Sequence, residues 1–214
     1  MCSWNLLNIH GAPSVPRRAV GLLPFKLDFV KCSESEFVSF WAKRYNEGKY
    51  SDSIYEKNLN KGRKLEQDNI EPLLAWKNGR PLPPSKKKFV PRVARSLPKF
   101  NDFRFLQEVT KSDEKQFWNV VCNIVESGLV WRVFLLHIAR PDDYPIVDQH
   151  VLRAQSYLTH GQPAEPSMTF GNYESYVAFF NDLSRSSGQE SRQVDKALMS
   201  FGQFLKSRFY GSGS

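Results

Sequence analysis

An all-α fold is what this 214-residue sequence predicts. Apolar residues recur at three- and four-residue spacing through most long segments. Helix-start signatures precede several of them, and no stretch alternates apolar and polar residues as a half-buried strand would. Hydrophobic residues at 41% and aromatics at 14% describe a globular chain able to bury a sizeable core, expected as one domain over 1–210. The closing Gly211-Ser212-Gly213-Ser214 reads as a linker tail.

The first 32 residues are Pro-punctuated and support no element assignment. Ser33 followed by Glu36 is a capping-box pair, with Phe37, Phe40, Trp41 and Tyr45 at helical spacing before Gly48. A short helix is expected over 50–60, and a further apolar turn over 71–76 that stops at Trp76-Lys77-Asn78-Gly79. Another is expected near 102–109. A stronger one follows over about 113–126, with Phe117, Val120, Val121, Ile124 and Val125 on one face and Ser112 as its cap. Ser127-Gly128 breaks that pattern. Residues 130–139 are apolar nearly all round, as in a buried helix, and Pro141 and Pro145 bound the turn after it. Helices are expected again over 146–158, 172–184 and 190–208.

Charge narrows the class of partner. Between 80 and 99 the chain carries Arg80, Lys86, Lys87, Lys88, Arg92, Arg95 and Lys99 without an acid, nearly the whole of the net +8. Five prolines in the same stretch predict an extended linker, and a concentrated basic segment favours an anionic polymer such as double-stranded DNA. The longest apolar runs are about five residues, far below the roughly 20 that span a bilayer, so no membrane partner is expected. Three cysteines and four histidines show no ligand spacing, which implies no metal, no cluster and no other cofactor. No phosphate loop and no nucleophile–base arrangement is present either. An odd cysteine count and no signal-peptide pattern make a reduced cytoplasmic location the expected one. A monomer is expected.

The segment from Leu129 to Ala154 concentrates the chemistry. An apolar helix, a turn with Asp142 and Asp143, and a second helix beginning at Asp148 set a carboxylate at a helix start. Arg153 lies close ahead and Trp131 close behind. A site that cleaves a glycosidic bond in a polyanion needs a fixed carboxylate, phosphate-binding groups and an aromatic surface. Asp148 also serves as an ordinary helix cap, and the two roles are compatible. Trp131 inside an apolar helix suits core packing as well as base stacking.

The string Val147-Asp148-Gln149-His150-Val151-Leu152-Arg153, placed after a helix, a Gly-containing hairpin and an apolar helix, resembles the helix-hairpin-helix DNA glycosylase superfamily. The resemblance covers about 113–158. Trp131 lies 17 residues before Asp148, near the position that carries a Schiff-base Lys in bifunctional members. The hairpin reads Ser127-Gly128-Leu129 where the family reads close to Pro-Gly-Val-Gly.

The resemblance implies a multi-helix bundle in two lobes and a monofunctional DNA glycosylase, at the nucleoid when acting, that flips out a damaged or modified base and hydrolyses its N-glycosidic bond. Asp148 is then the catalytic carboxylate, with Asp143 too close to Trp131 in sequence to fit the family spacing. Trp131, Tyr144 and Trp76 are candidates for the base pocket. Gly128, Gln149, His150, Arg153, Lys86, Lys87, Lys88 and Arg92 are candidates for DNA binding. No lyase step is expected, and Lys77 stands as the outside candidate for one. His137 reads as a core histidine. A non-catalytic DNA-binding module on the same scaffold is the alternative, and a helical protein-interaction domain has no motif behind it.

Overall fold

A computed structural model describes residues 32–162, 164 and 167–209, the side chains of 208 and 209 excepted. Cys2 and the 211–214 tail lie outside the described residues. The chain is all-helical as expected, with no strand among the described residues. In order the helices are α1 (Glu34–Ala42), α2 (Asp52–Leu59), α3 (Gln67–Asn78), α4 (Pro84–Lys87) and α5 (Phe89–Arg104). Then follow α6 (Lys111–Ile124), α7 (Leu129–Ala139), α8 (Gln149–His160), α9 (Phe170–Ser187) and α10 (Ser191–Phe209).

Two hydrophobic clusters organise these helices. The first gathers α2, α3, α5, α6 and α7 around Ile70, Leu74, Val93, Phe100, Val121 and Phe134. The second gathers α1, α8, α9 and α10 around Val38, Leu152, Tyr176, Val194 and Leu198. Helix α7 is the shared wall, since Val133 packs into the second cluster while Phe134, Leu135 and Ile138 pack into the first. An element apolar all round needs such a two-sided burial.

Local signals fix several boundaries. The Ser33–Glu36 capping box starts α1 as expected. Thr110, rather than Ser112, caps α6, because Asp113 at the third helical position completes a reciprocal box with it. Gly79 and Gly161 end α3 and α8 in left-handed conformation. Arg104 donates to the carbonyls of Leu59, Asn60 and Ile138 and so satisfies the C-terminal ends of α2 and α7 together.

The 80–99 segment is not the extended linker that its prolines predict. Its larger part is α4 and α5, and the helix carries on to Arg104 in place of a separate element near 102–109. Pro91 sits in the first turn of α5, where a missing N–H costs nothing, and Phe89, Val93, Phe100 and Phe103 bury one face. That burial outweighs the interior Pro98.

Helices α8 and α10 cross at backbone contact. A Cβ on Gly202 would lie 2.0 Å from the carbonyl oxygen of His150, so no larger residue fits there. Arg153 is fully buried at this crossing, where it donates to the Gly202 carbonyl and lies 3.2 Å from His150 Nδ1. Its expected role as a phosphate contact is therefore corrected: the guanidinium is inside the fold, tying α8 to α10.

Candidate functional site

Helices α6 and α7 are joined by the four residues 125–128. Gly128 turns the chain at φ +98°, a region that L side chains rarely adopt, and α7 receives no side-chain cap. Among the N–H groups of its first turn, that of Trp131 donates back to the Gly128 carbonyl at 3.2 Å, and the hairpin residues Glu126, Ser127 and Gly128 are exposed. The hairpin carbonyls are tied down instead. Arg132 donates to Val125 and Glu126, and Arg92 donates to Ile124.

Asp148 caps α8. Its Oδ1 accepts from the N–H groups of His150 (2.7 Å) and Val151 (3.2 Å). Its Oδ2 lies 4.0 Å from the Lys77 ammonium, and its side chain remains 21% exposed. One oxygen is thus spent on the fold while the other is held beside a cation, in a side chain that keeps some contact with solvent.

Lys77 comes from the end of α3, 71 positions earlier in the chain. Its Nζ also donates to the Val147 carbonyl at 3.2 Å. Burial lowers the Lys77 pKa, and the carboxylates of Asp148 and Asp195 oppose that shift.

A polar seam continues inward from this pair. Asp195 is buried on α10, and burial raises its carboxyl pKa against the pull of Arg192 and Lys77. Arg192 donates to both Asp195 and Asp52, and to the Tyr45 hydroxyl. Its guanidinium also lies over the rings of Tyr45, Tyr55 and Trp76, at 5.0, 4.7 and 5.2 Å from their centroids. Burial alone would lower the Arg192 pKa, but Asp195, Tyr45 and Asp52 outweigh it and hold the charge firmly. Lys196 pairs with Asp52 and Glu47. Beside the seam lies a cavity of about 310 Å³, lined among others by Tyr55, His137, Phe180, Arg192 and Asp195.

His137 is the core histidine its apolar helix suggests. Its Nδ1 meets the Tyr144 carbonyl at 2.8 Å and its Nε2 the Tyr55 hydroxyl at 2.6 Å. A neutral ring donates from Nδ1 and accepts at Nε2. Burial pushes its pKa down from 6.5 to about 3. The sign follows: the folded state resists protonation, so this contribution is complete above pH 6.5 and is lost as pH falls towards 3. Melting temperature should therefore fall between pH 6.5 and 5, before most carboxylates titrate. His137→Phe, though less stable throughout, should show a shallower fall. An equal slope in that variant would contradict the assignment.

The other expected site residues are scattered. Trp76 is 7% exposed, packed between Tyr55 and Phe134, so it is a core residue and not a stacking surface. Trp131 is half-buried against Phe89 and Phe134, with the Lys86 ammonium 4.3 Å above its ring. Tyr144 turns its hydroxyl to Glu114. Gln149 is exposed at the start of α8, and His150 is half-buried with its pKa lowered chiefly by burial. Lys86 donates to the Asn78 side chain, while Lys87 and Lys88 are exposed. Asp142 pairs with Lys61 and Asp143 with Arg140.

Sequence reasoning missed Arg192, Asp195, Tyr55 and Asp52, and placed Lys77 only at the margin. The one available signal was Asp195, a charge next to Val194 and before Ala197 and Leu198 on the apolar side of α10, with Arg192 three residues earlier.

No protein-family model, curated protein or solved structure matches the chain. Among the described residues no group of three His, Cys, Asp or Glu could hold a metal ion, and no helix is long and apolar enough to cross a membrane.

Proposed function

We propose that the protein is a DNA N-glycosylase of helix-hairpin-helix type, acting between two lobes. It flips out a damaged or chemically modified base and releases it by hydrolysis. The observation that carries this reading is the divided role of Asp148, a partly exposed side chain whose Oδ1 is fixed by two backbone N–H groups while Oδ2 lies beside Lys77. In such a reaction the C1′–N bond breaks, the base leaves with the electron pair and takes up a proton, and a water oxygen bonds to C1′. A fixed carboxylate stabilises the positive charge that develops on the sugar and orients the water. The exposed, uncapped hairpin at Gly128 supports backbone binding. Removal of damaged bases is one use of this chemistry. Removal of modified bases from invading phage DNA is another.

Lys77 supports a second reading. Its buried amine, with a lowered pKa and 4.0 Å from Asp148, is chemically able to attack C1′ as the C1′–N bond to the base breaks; the C1′–O4′ bond then opens to leave an imine, the two amine protons passing to the base and to O4′. Duplexes that are plain, alkylated, oxidised or heavily modified should be incubated with the protein and assayed for abasic sites, with and without borohydride. Abasic sites in at least one duplex with no trapped adduct are the expected result. A borohydride-trapped adduct lost in Lys77→Met would favour the imine route. Salt-dependent binding with no abasic site in any duplex would favour a non-catalytic DNA-binding module.

A further inference from the structure

Lys88, Arg92, Arg95 and Lys99 follow one another at four-, three- and four-residue steps, which sets them along a single line of α5. The stripe is about 16 Å long at helical rise. It flanks the buried line of Phe89, Val93 and Phe100, and no acid occurs in sequence between Glu71 and Asp102. Lys88, Arg95 and Lys99 are exposed and Arg92 is half-buried.

The N-terminal end of this stripe lands on the hairpin. Arg92 donates to the Ile124 carbonyl at 3.1 Å and to the Glu126 carboxylate at 3.0 Å, and Lys88 is close enough to lower the Glu126 pKa as well. Glu126 is 71% exposed. It lies two residues before Gly128 and meets the cations at the N-terminal end of the stripe, where an anion would otherwise face them.

We infer that α5 is a phosphate track for duplex DNA, running from Lys99 to the hairpin, and that Glu126 occupies its first phosphate position in the DNA-free protein. Binding exchanges the Glu126 carboxylate on Arg92 for a backbone phosphate, which carries the same charge and accepts the same donors. The track is a rigid helix face, so its contacts are set by the fold and are independent of base identity.

The inference rests on the proposed action on DNA, but its test does not require base release. Affinity for a plain duplex should be measured by fluorescence anisotropy across a salt series. Each phosphate contact contributes about 0.9 to the slope of log affinity against log salt. Arg95→Gln/Lys99→Gln should flatten the slope by about 1.8, so that affinity falls about 12-fold less than in wild type between 50 and 200 mM salt. Glu126→Gln should tighten binding, because Arg92 is then free for phosphate. The exposed pair Lys57→Gln/Lys64→Gln on α2 and the α2–α3 connection is the control for net charge alone.

A stripe double variant that behaves like the control pair would overturn the inference, as would weaker binding by Glu126→Gln. Stripe-dependent binding to polyglutamate but not to DNA would overturn it too. The expected slopes in a protein that releases no base would leave the track standing and sink the glycosylase reading. Salt-dependent binding that ignores the stripe, together with base release, would do the reverse.

Discussion

Arg192→Leu should destabilise the fold by about 3–5 kcal/mol at neutral pH, read as a lower urea midpoint with an unchanged slope. The variant is similar in apolar bulk but leaves Asp195 and Asp52 without the guanidinium that both accept from. Lys196 still pairs with Asp52, so the larger share of the loss falls on Asp195, which is buried on α10. It also empties the space among Tyr45, Tyr55 and Trp76, whose rings contact the cation.

The pH dependence separates this cause from simple loss of packing. Burial already raises the Asp195 pKa in the native protein, with Arg192 the main opposing influence. Without Arg192 the folded carboxyl prefers its proton more strongly than the unfolded one does. The stability deficit is then full at high pH and shrinks as pH falls through the raised value. A deficit of the same size at pH 5 and pH 8 would show that lost packing, and not an unpaired buried charge, explains the effect.

The all-α class and most helices were legible because caps and periodicity are local. Ser33 with Glu36, and Asp148 before an apolar run, each announce a helix start from within a few residues. Misreadings arose where tertiary packing overruled local composition. Five prolines suggested an extended 80–99 segment, yet Phe89, Val93 and Phe100 bury one side of it and keep it helical. Arg153 reads in the sequence as a DNA contact, but Gly202 lets α10 approach so closely that the face of α8 around it is covered.

The candidate site divides in the same way. Asp148 could be singled out from the string around it. Its neighbour Lys77 arrives from α3 and Asp195 from α10, and no spacing in the sequence encodes contacts across that distance. Lys77 looked like part of a helix stop at Trp76-Lys77-Asn78-Gly79, which it also is. Its side chain nevertheless turns inward to the Val147 carbonyl, directly before Asp148. The aromatic residues proposed as one pocket proved to serve separate places, with Trp76 in the core and Trp131 beneath Lys86.

Asp148→Asn should reduce base release by about 100- to 1,000-fold, the scale of losing one group that stabilises transition-state charge. The substitution is chosen because Asn caps helices about as well as Asp. Its side-chain oxygen can still accept from the His150 and Val151 N–H groups, so α8 should keep its start, and stability should fall only by what the charge beside the buried Lys77 contributed. What disappears is the negative charge beside Lys77. DNA affinity should stay the same or rise, since one anion fewer faces the phosphates. Asp148→Ala would remove the cap as well and cost about 1 kcal/mol of stability, which makes it the poorer test.

The decisive measurement is single-turnover base release by wild type and Asp148→Asn on the duplex that wild type cleaves best, with affinity for that duplex measured on the same samples. A catalytic role for Asp148 requires release at least 100-fold slower in the variant, with binding as tight as wild type or tighter. Release at the wild-type rate by a folded, DNA-binding Asp148→Asn protein would contradict it.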